Sequence, residues 1–253
     1  MKEILILIII IFIILILYLI FNNNESLSND IPIPFVPNKE LKFIHITKTG
    51  GSSIEDCAFR NKIYYGKYDK EYNMNHINIG NKTQIGYVSQ WHILFPLNSI
   101  EYKQKYDWFM IVRNPYTRII SEINYLFIFN PAVSENIINH LDNINNMIQY
   151  YIVNRSQIGD HFTEQYLYLD PDPNIKIHVL KFENMKEDFD SLMKLYNIDI
   201  VLDVHKNKSK NLIKMEHLYK NTIELINSVY SKDFELFNYN KITYESMSRD
   251  SLE

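Results

Sequence analysis

The sequence of 253 residues predicts an α/β fold, a mainly parallel sheet flanked by helices. Three apolar runs, at 41–46, 107–114 and 175–182, have the length of buried strands. Further along the chain, each run is followed by a segment whose apolar residues recur at helical spacing. Strands that alternate with helices form βαβ units, which join parallel strands. Ligands of such sheets bind at the carboxyl ends of the strands, so we expect a site where these runs end.

The first 40 residues are predicted to lie outside this fold. Residues 4–21 are almost entirely Ile, Leu and Phe, and a helix of about 18 such residues spans roughly 27 Å, enough to cross the hydrocarbon core of a membrane. No small-residue cleavage site follows, so 1–21 is interpreted as an uncleaved signal anchor with a short cytosolic end; a cleaved signal peptide is the alternative. Lys2 before the span and acidic charges after it favour a cytosolic N-terminus. Residues 22–40 have the composition of a linker, which leaves 41–253 as one folded domain.

The elements of this domain follow from local signals. Ser52 or Ser53 is predicted to cap a helix that runs from the first glycine-containing loop to about Asn61. Asn114 and Pro115 are predicted to open a second helix, because Asn caps helices and Pro suits the first helical position. The remaining predicted elements are strands at 84–90 and 175–182 and helices at 136–153, 183–196 and 215–230.

Composition excludes several kinds of site. The formal net charge of −4 provides no basic field for a nucleic-acid partner, so an anion site would have to be built locally. Cys57 is the only cysteine, which excludes an intrachain disulfide and zinc sites based on paired cysteines.

The loop at 47–53, TKTGGSS, is predicted to bind a phosphate or sulfate group. A strand-to-helix turn of small residues presents backbone N–H groups and the positive end of a helix to an anion, and Lys48 adds a full charge. In the phosphate loop of nucleotide triphosphatases the lysine follows the glycines, whereas Lys48 precedes them, which argues against a P-loop kinase. For this loop alone, a tight Gly-Gly turn with a surface lysine is the alternative.

Two segments together, HITKTGGSSI at 45–54 and VRNPYTRIISEINY at 112–125, resemble the paired signature of membrane-anchored, Golgi-type carbohydrate sulfotransferases, a group similar to heparan sulfate 2-O-sulfotransferase. The first family motif is H-x-P-K-T-G-G-T/S-S, from which Thr47 departs because proline is usual there. The second, R-N-P-Y-x-R-x-x-S, is matched throughout. The resemblance extends to HFTEQYLYL at 161–169, with Glu164 in place of proline, and to 179–189, 205–210 and 229–239.

The resemblance implies a P-loop-like three-layer fold and an enzyme that uses 3′-phosphoadenosine-5′-phosphosulfate (PAPS). Such an enzyme moves the sulfuryl group to a carbohydrate hydroxyl by in-line displacement, releases adenosine 3′,5′-bisphosphate and needs no metal. Lys48 would contact the bridging oxygen of the leaving phosphate. Arg113 would bind the 3′-phosphate in bidentate fashion, and Ser121 would add a hydroxyl. The predicted donors to the 5′-phosphate are Thr49, Gly50, Gly51, Ser52 and Ser53.

His92 is the predicted catalytic base, in a context similar to that of the catalytic histidine of 2-O-sulfotransferases. A neutral imidazole accepts a hydroxyl proton near neutral pH, although a buried structural histidine is the alternative. His161 is the competing base, and the resemblance places it and Gln165 nearer the acceptor. His45 is predicted to pack on its strand, and Arg118 to tie its helix to neighbouring carboxylates.

A basic loop at 208–210 is a further candidate. The resemblance implies that Lys208 and Ser209 contact the cofactor, whereas a solvated charge run is the alternative. N-glycosylation sequons begin at Asn24, Asn81, Asn154 and Asn207.

These observations predict a single-pass type II membrane glycoprotein of the Golgi, with a lumenal catalytic domain and a glycan or glycosaminoglycan acceptor. The alternative is a catalytically degenerate member that binds a nucleotide or sulfated glycan without transfer. The presence of Lys48, Arg113, Ser121 and a histidine together favours the enzyme. The acceptor sugar, its hydroxyl and the oligomeric state stay open at this point.

Overall fold

A computed structural model describes residues 37–75, 89–127, 140–158, 160–203 and 212–243. They belong to the second of two units, which begins at Pro37. The predicted anchor, most of the linker and of the strand at 84–90, and the basic loop with Lys208 and Ser209 lie outside the described residues. No helix within the described ranges is both long and apolar enough to span a membrane.

A parallel sheet lies at the centre of the unit. Its strands, in spatial order, are β1 (Leu41–Ile44), β2 (Asp107–Val112) and β3 (Ile177–Lys181). Both pairings are parallel, with Ile44 opposite Met110 and Val112 opposite Lys181. The predicted parallel sheet is therefore confirmed for these strands, and all of them end at the same edge.

Helices surround the sheet. The α-helices of the described residues are α1 (Gly51–Arg60), α2 (Lys70–Asn75), α3 (Ile100–Lys105), α4 (Pro115–Leu126), α5 (Leu141–Val153), α6 (Arg155–Ile158), α7 (Met185–Leu195), α8 (Lys220–Val229) and α9 (Ser231–Leu236). Short 3-10 turns connect them, of which Gln90–His92 and Asp160–Phe162 carry residues of the candidate site.

Both faces of the central strand β2 are buried, because its alternate side chains enter different clusters. Phe109 packs in a cluster with Ile54 of α1 and Phe189 of α7. Trp108, Met110 and Val112 pack on the other face with Phe95. A third cluster joins α4, α5, α8 and α9. This burial explains the uninterrupted apolar run of β2, since a strand covered on both faces has no solvent side.

Two local predictions differ from the structure. The prediction that Ser52 or Ser53 caps α1 was wrong, because Gly50 occupies the N-cap position with a φ of 89°. The segment 215–230, predicted as one helix, is a 3-10 turn at Met215–His217 followed by α8, with extended backbone between them. The prediction that Asn114 caps α4 is confirmed, since its side chain accepts a hydrogen bond from the Tyr116 amide.

Candidate active site

The loop between β1 and α1 is held in an unusual backbone conformation. Lys48 has a φ of 64° and Gly50 a φ of 89°, both in the left-handed region. A Cβ on Gly51 would lie 2.3 Å from the His45 ring, so this helix start tolerates only glycine without rearrangement. Gly50 has no side chain that could accept a hydrogen bond from the first amides of α1. The N-terminal amides of α1 therefore lack the usual side-chain cap, as at anion-binding helix ends.

The Lys48 side chain lies half-buried against helix α4. Its Nζ is 4.0 Å from the ring centroid of Tyr125, a cation–π contact. Burial lowers the pKa of Lys48, an effect that nearby Glu122 opposes and Arg113 reinforces. Among the described residues no carboxylate oxygen lies within ion-pair distance of Lys48. The ammonium group is thus partly desolvated and lacks a direct counter-ion.

Arg113, directly after β2, reaches the same loop. Its Nη1 donates to the Lys48 carbonyl oxygen at 3.2 Å, and its Nε donates to Thr117 Oγ1 at 3.1 Å. The guanidinium carbon lies 4.0 Å from the ring centroid of Phe182. Burial lowers the pKa of Arg113 to about 10, while Glu183 opposes the shift and Arg118 adds to it. The structure thus brings together the cations that follow β1 and β2, as the parallel topology predicts.

The hydroxyl residues of the two motifs are not equally accessible. Ser52 and Ser121 are half-buried, whereas Thr49 and Ser53 are almost fully buried. Thr49 Oγ1 donates to the Ile46 carbonyl oxygen at 2.8 Å. Its hydroxyl proton is therefore already used within the loop, which leaves the Thr49 backbone as the predicted phosphate donor.

Three histidines of this region each place Nδ1 on a carboxylate. His45 pairs with Glu55 at 2.7 Å, so it is more than the packing residue predicted from its strand. His92 Nδ1 lies 2.5 Å from Asp160 Oδ2, close enough for a strong charge interaction, although the contact does not have the geometry of a hydrogen bond. Burial lowers the pKa of His92 to about 4; His45 and His161 lower it too, against the opposing effect of Asp160. His92 is therefore neutral at physiological pH.

His161, the competing base, has the opposite electrostatic state. Its Nδ1 lies 2.8 Å from Glu122 Oε2 and its Nε2 is 3.9 Å from Asp160 Oδ1. Burial alone would lower the pKa of His161, but the bond to Glu122 and the charges of Glu122 and Asp160 raise it. The His161 side chain is 38% exposed, compared with 12% for His92. The two candidate bases thus differ in accessibility and in charge, and Glu122 links His161 to Lys48.

Gln165 is fully buried beneath this site. Its Oε1 accepts a hydrogen bond from the Arg113 amide and its Nε2 donates to the Arg113 carbonyl oxygen, both at 2.8 Å. Asp233 accepts a bond from the Gln165 amide at 3.0 Å. This geometry favours a role in positioning Arg113 over the predicted contact with an acceptor.

Arg118 is buried between the two motifs, and the prediction that it binds carboxylates was wrong. Its guanidinium donates to the Thr47 carbonyl oxygen at 3.0 Å and to Thr47 Oγ1 at 3.2 Å. It also donates to the carbonyl oxygens of Thr163 at 2.7 Å and His161 at 3.3 Å. Arg118 therefore fixes the loop of the first motif to the segment that carries His161.

Sequence reasoning missed the carboxylates that lie against the two candidate bases. Asp160 and Glu122 each stand next to a predicted site residue, His161 and Ser121, so adjacency was the available signal. Within the described ranges no group of three or more His, Cys, Asp or Glu side chains is placed to hold a metal ion. Of the sequons, Asn154 is described; its side chain donates to the Tyr150 carbonyl oxygen at 2.8 Å.

Comparison with known proteins gives one match. The model of the sulfotransferase family matches residues 33–240. No curated protein and no solved structure matched the chain significantly.

Proposed function

The chain belongs to the sulfotransferase family, and from this premise we propose that it transfers a sulfuryl group from PAPS to a carbohydrate hydroxyl. Family membership supports sulfuryl transfer in general. The donor, the acceptor class and the assignment of residues below are the proposal.

The observation that carries the proposal is the pair of desolvated cations at the ends of β1 and β2. Lys48 and Arg113 are joined by the 3.2 Å bond from Arg113 Nη1 to the Lys48 carbonyl oxygen, and burial lowers the pKa of both side chains. Among the described residues neither is in a direct ion pair with a carboxylate. Buried charges are normally paired, because leaving them without a counter-ion costs several kcal/mol each. Two such cations beside a helix N-terminus fit a ligand that carries anionic groups at two positions.

Each cation has a proposed partner in the donor. The donor supplies an activated sulfuryl group on its 5′-phosphate and a second phosphate at the 3′ position. The amides of residues 49–53 and Lys48 would bind the 5′ end, and Lys48 would stabilise negative charge on the bridging oxygen. Arg113 would bind the 3′-phosphate with the part of its guanidinium not used by the Lys48 carbonyl and Thr117, and Ser121 would add a hydroxyl. Lys208 and Ser209 keep their proposed place as cofactor contacts.

His92 is the proposed base for the acceptor hydroxyl. It is neutral because its pKa lies near 4, so its proton-accepting form dominates at the pH at which transfer would occur. A pKa this low also weakens the driving force for proton transfer, and it would be lower still without Asp160, which raises the pKa of His92. His161, which Glu122 favours in its protonated form, is better suited to bind an anionic or hydroxyl group of the acceptor than to remove a proton.

The proposal keeps the wider setting inferred from the sequence. A lumenal Golgi enzyme held by the segment at 4–21 would meet glycans or glycosaminoglycans, and these are the proposed acceptors. The second candidate is a degenerate member that binds a nucleotide or sulfated glycan. The candidate base and both desolvated cations favour the enzyme, since binding alone does not require a base.

Transfer of labelled sulfate tests the proposal directly. The purified full chain is incubated with ³⁵S-labelled PAPS and a panel of desulfated glycans, and label in the glycan is counted. We expect time-dependent incorporation into at least one member and release of an equal amount of adenosine 3′,5′-bisphosphate. Tight binding of that nucleotide without incorporation into any glycan would instead support the degenerate binder.

Arg113→Lys should selectively weaken recognition of the 3′-phosphate. Lysine keeps a charge but loses the planar fork, and the loss of a charged hydrogen bond of about 1.5–3 kcal/mol predicts a roughly 10- to 100-fold higher Kd for adenosine 3′,5′-bisphosphate. Isothermal titration with this ligand and with adenosine 5′-phosphate, which lacks the 3′-phosphate, separates binding of the 3′-phosphate from binding of the 5′-phosphate. Only the ligand with a 3′-phosphate should be affected.

The matched control is Arg60→Lys, an exposed arginine that pairs with Asp203 at the far end of α1. It should bind both ligands as the unchanged chain does. An equal loss for both ligands in Arg113→Lys would show that Arg113 supports the loop as a whole and does not recognise the 3′-phosphate.

A further inference from the structure

The three histidine–carboxylate pairs form one continuous cluster. The His45 and His92 rings lie edge to face with centroids 4.6 Å apart, and the His92 and His161 centroids are 6.3 Å apart. Asp160 lies between the last two, with Oδ2 at 2.5 Å from His92 Nδ1 and Oδ1 at 3.9 Å from His161 Nε2. One carboxylate therefore contacts the proposed base and also faces the neighbouring histidine.

The chemistry of Asp160 fixes the state of His92. The Asp160 side chain is only 3% exposed, and its Oδ2 lies 2.5 Å from His92 Nδ1, a contact without the geometry of a hydrogen bond. Although burial alone would raise the pKa of Asp160, the close contact with the His92 ring and the charge of His161 hold it below its usual value, so the carboxylate is ionised. An ionised carboxylate only accepts hydrogen bonds. A lone pair on Nδ1 would be repelled by the carboxylate oxygen 2.5 Å away, so the proton of neutral His92 is on Nδ1 and the lone pair is on Nε2.

We infer that Asp160 is the positioning residue of the active site: it holds His92 in the Nδ1–H tautomer, so that Nε2 receives the proton of the acceptor hydroxyl. This rests on the proposed role of His92. As the acceptor oxygen forms its bond to sulfur, its proton passes to Nε2, and the electrons of the broken sulfur–oxygen bond leave on the 5′-phosphate. The imidazolium so formed lies 2.5 Å from the Asp160 carboxylate, whose negative charge stabilises it.

The geometry also separates Asp160 from the other carboxylates. Glu55 holds His45, whose ring lies against Gly51, where it supports the helix start. Glu122 holds His161 and acts electrostatically on Lys48. Among the described residues, only Asp160 has a carboxylate oxygen within ion-pair distance of the His92 ring, so its loss should change proton transfer more than donor binding.

The first test measures the tautomer and needs no activity. The full chain is labelled with ¹⁵N-histidine, and the nitrogen shifts of His92 are read from two- and three-bond correlations at pH 7. The chain has eight histidines, so His92 is assigned from the signal absent in His92→Asn. Protonated Nδ1 with unprotonated Nε2 supports the inference. The reverse tautomer, which predominates for free histidine, overturns it.

The second test compares Asp160→Ala with the conservative Asp160→Asn. Removal of the carboxylate should lower kcat roughly 100-fold, the low end of a general base contribution, and leave KM for PAPS within about twofold. Asp160→Asn keeps an acceptor oxygen and should retain more kcat than Asp160→Ala. In the Ala variant the His92 signal should show Nε2–H. An unchanged kcat in folded Asp160→Ala, or a raised KM with unchanged kcat, overturns the inference.

Asp170→Asn is the matched control. Asp170 is another buried carboxylate, with its Oδ2 at 2.6 Å from Lys103 Nζ. The Asp170→Asn substitution should leave kcat and the His92 tautomer unchanged. If the unaltered chain transfers no sulfate, the proposed function fails, whereas the tautomer measurement still decides whether Asp160 fixes His92.

Discussion

Lys48→Ala is expected to remove sulfuryl transfer. A preorganised donor aimed at developing charge contributes about 2.7–4 kcal/mol to transition-state stabilisation, which predicts a 10²- to 10³-fold or larger fall in kcat. The effect should exceed that on donor binding, because the charge on the bridging oxygen grows only as the sulfur–oxygen bond breaks. Single-turnover transfer of labelled sulfate under saturating PAPS measures it.

The same substitution should not unfold the protein. Lys48 is partly desolvated and, among the described residues, lacks a carboxylate ion pair, so its removal relieves a cost. Alanine and lysine differ little in the left-handed conformation that this position adopts, at a φ of 64°. We therefore expect a Tm equal to or slightly above that of the unaltered chain.

Lys232→Ala is a matched control for Lys48→Ala. Lys232 is an exposed lysine whose Nζ lies 4.8 Å from the Tyr166 ring centroid, so it also loses a cation–π contact. Its transfer rate should be unchanged. Folded Lys48→Ala with undiminished kcat would remove Lys48 from the chemistry and leave it as a loop residue.

The sheet could be predicted because each of its strands coincides with an apolar run in the local sequence. The run at 108–112 is apolar without interruption, and in the structure β2 is buried on both faces. Helix α4 was predictable for a similar reason, since Asn114 and Pro115 mark its start by side-chain and backbone chemistry of their own. The start of α1 was not predictable in this way, because Ser52 and Ser53 are both plausible caps after two glycines. In the structure the N-cap is Gly50, which adopts the left-handed conformation.

The contacts of the site could not be predicted, because they join residues far apart in the chain. Thr47 illustrates this. Proline is usual at that position in the family pattern, and a proline would stiffen the loop by fixing φ. Here the Thr47 hydroxyl accepts from Arg118 at 3.2 Å and lies 3.3 Å from the Asp160 carbonyl oxygen. Hydrogen bonds to residues 71 and 113 positions away thus restrain the loop that lacks the proline ring.

The second departure from the family pattern has a comparable explanation. Glu164 stands where proline is usual, and its Oε1 accepts from Arg155 Nη2 at 2.6 Å and Nε at 2.9 Å. These two bonds to one carboxylate oxygen tie the segment that carries His161 and Gln165 to the start of α6. At both positions the backbone restraint of a proline is replaced by side-chain hydrogen bonds of Thr47 and Glu164, which a comparison of motifs does not reveal.

His92→Asn is expected to remove proton transfer while keeping donor binding. The asparagine amide can still donate to Asp160, so the buried carboxylate is not left without a partner, as it would be in His92→Ala. It has no basic nitrogen, and loss of the base predicts a 10²- to 10⁴-fold fall in kcat. The Kd for adenosine 3′,5′-bisphosphate should stay within about twofold, because Lys48 and Arg113 are unchanged. Steady-state transfer and isothermal titration on the same preparation measure both.

Two comparison variants decide what a loss in His92→Asn means. His178→Asn changes a partly buried histidine that bonds to Tyr196 near the opposite end of the sheet, and it should keep full kcat. His161→Gln changes the competing base and should raise KM for the acceptor more than it lowers kcat. If His161→Gln instead loses kcat and His92→Asn does not, the base is His161. In that case Glu122, which lies 2.8 Å from His161 Nδ1, takes the positioning role, since a base needs a fixed tautomer whichever histidine supplies it.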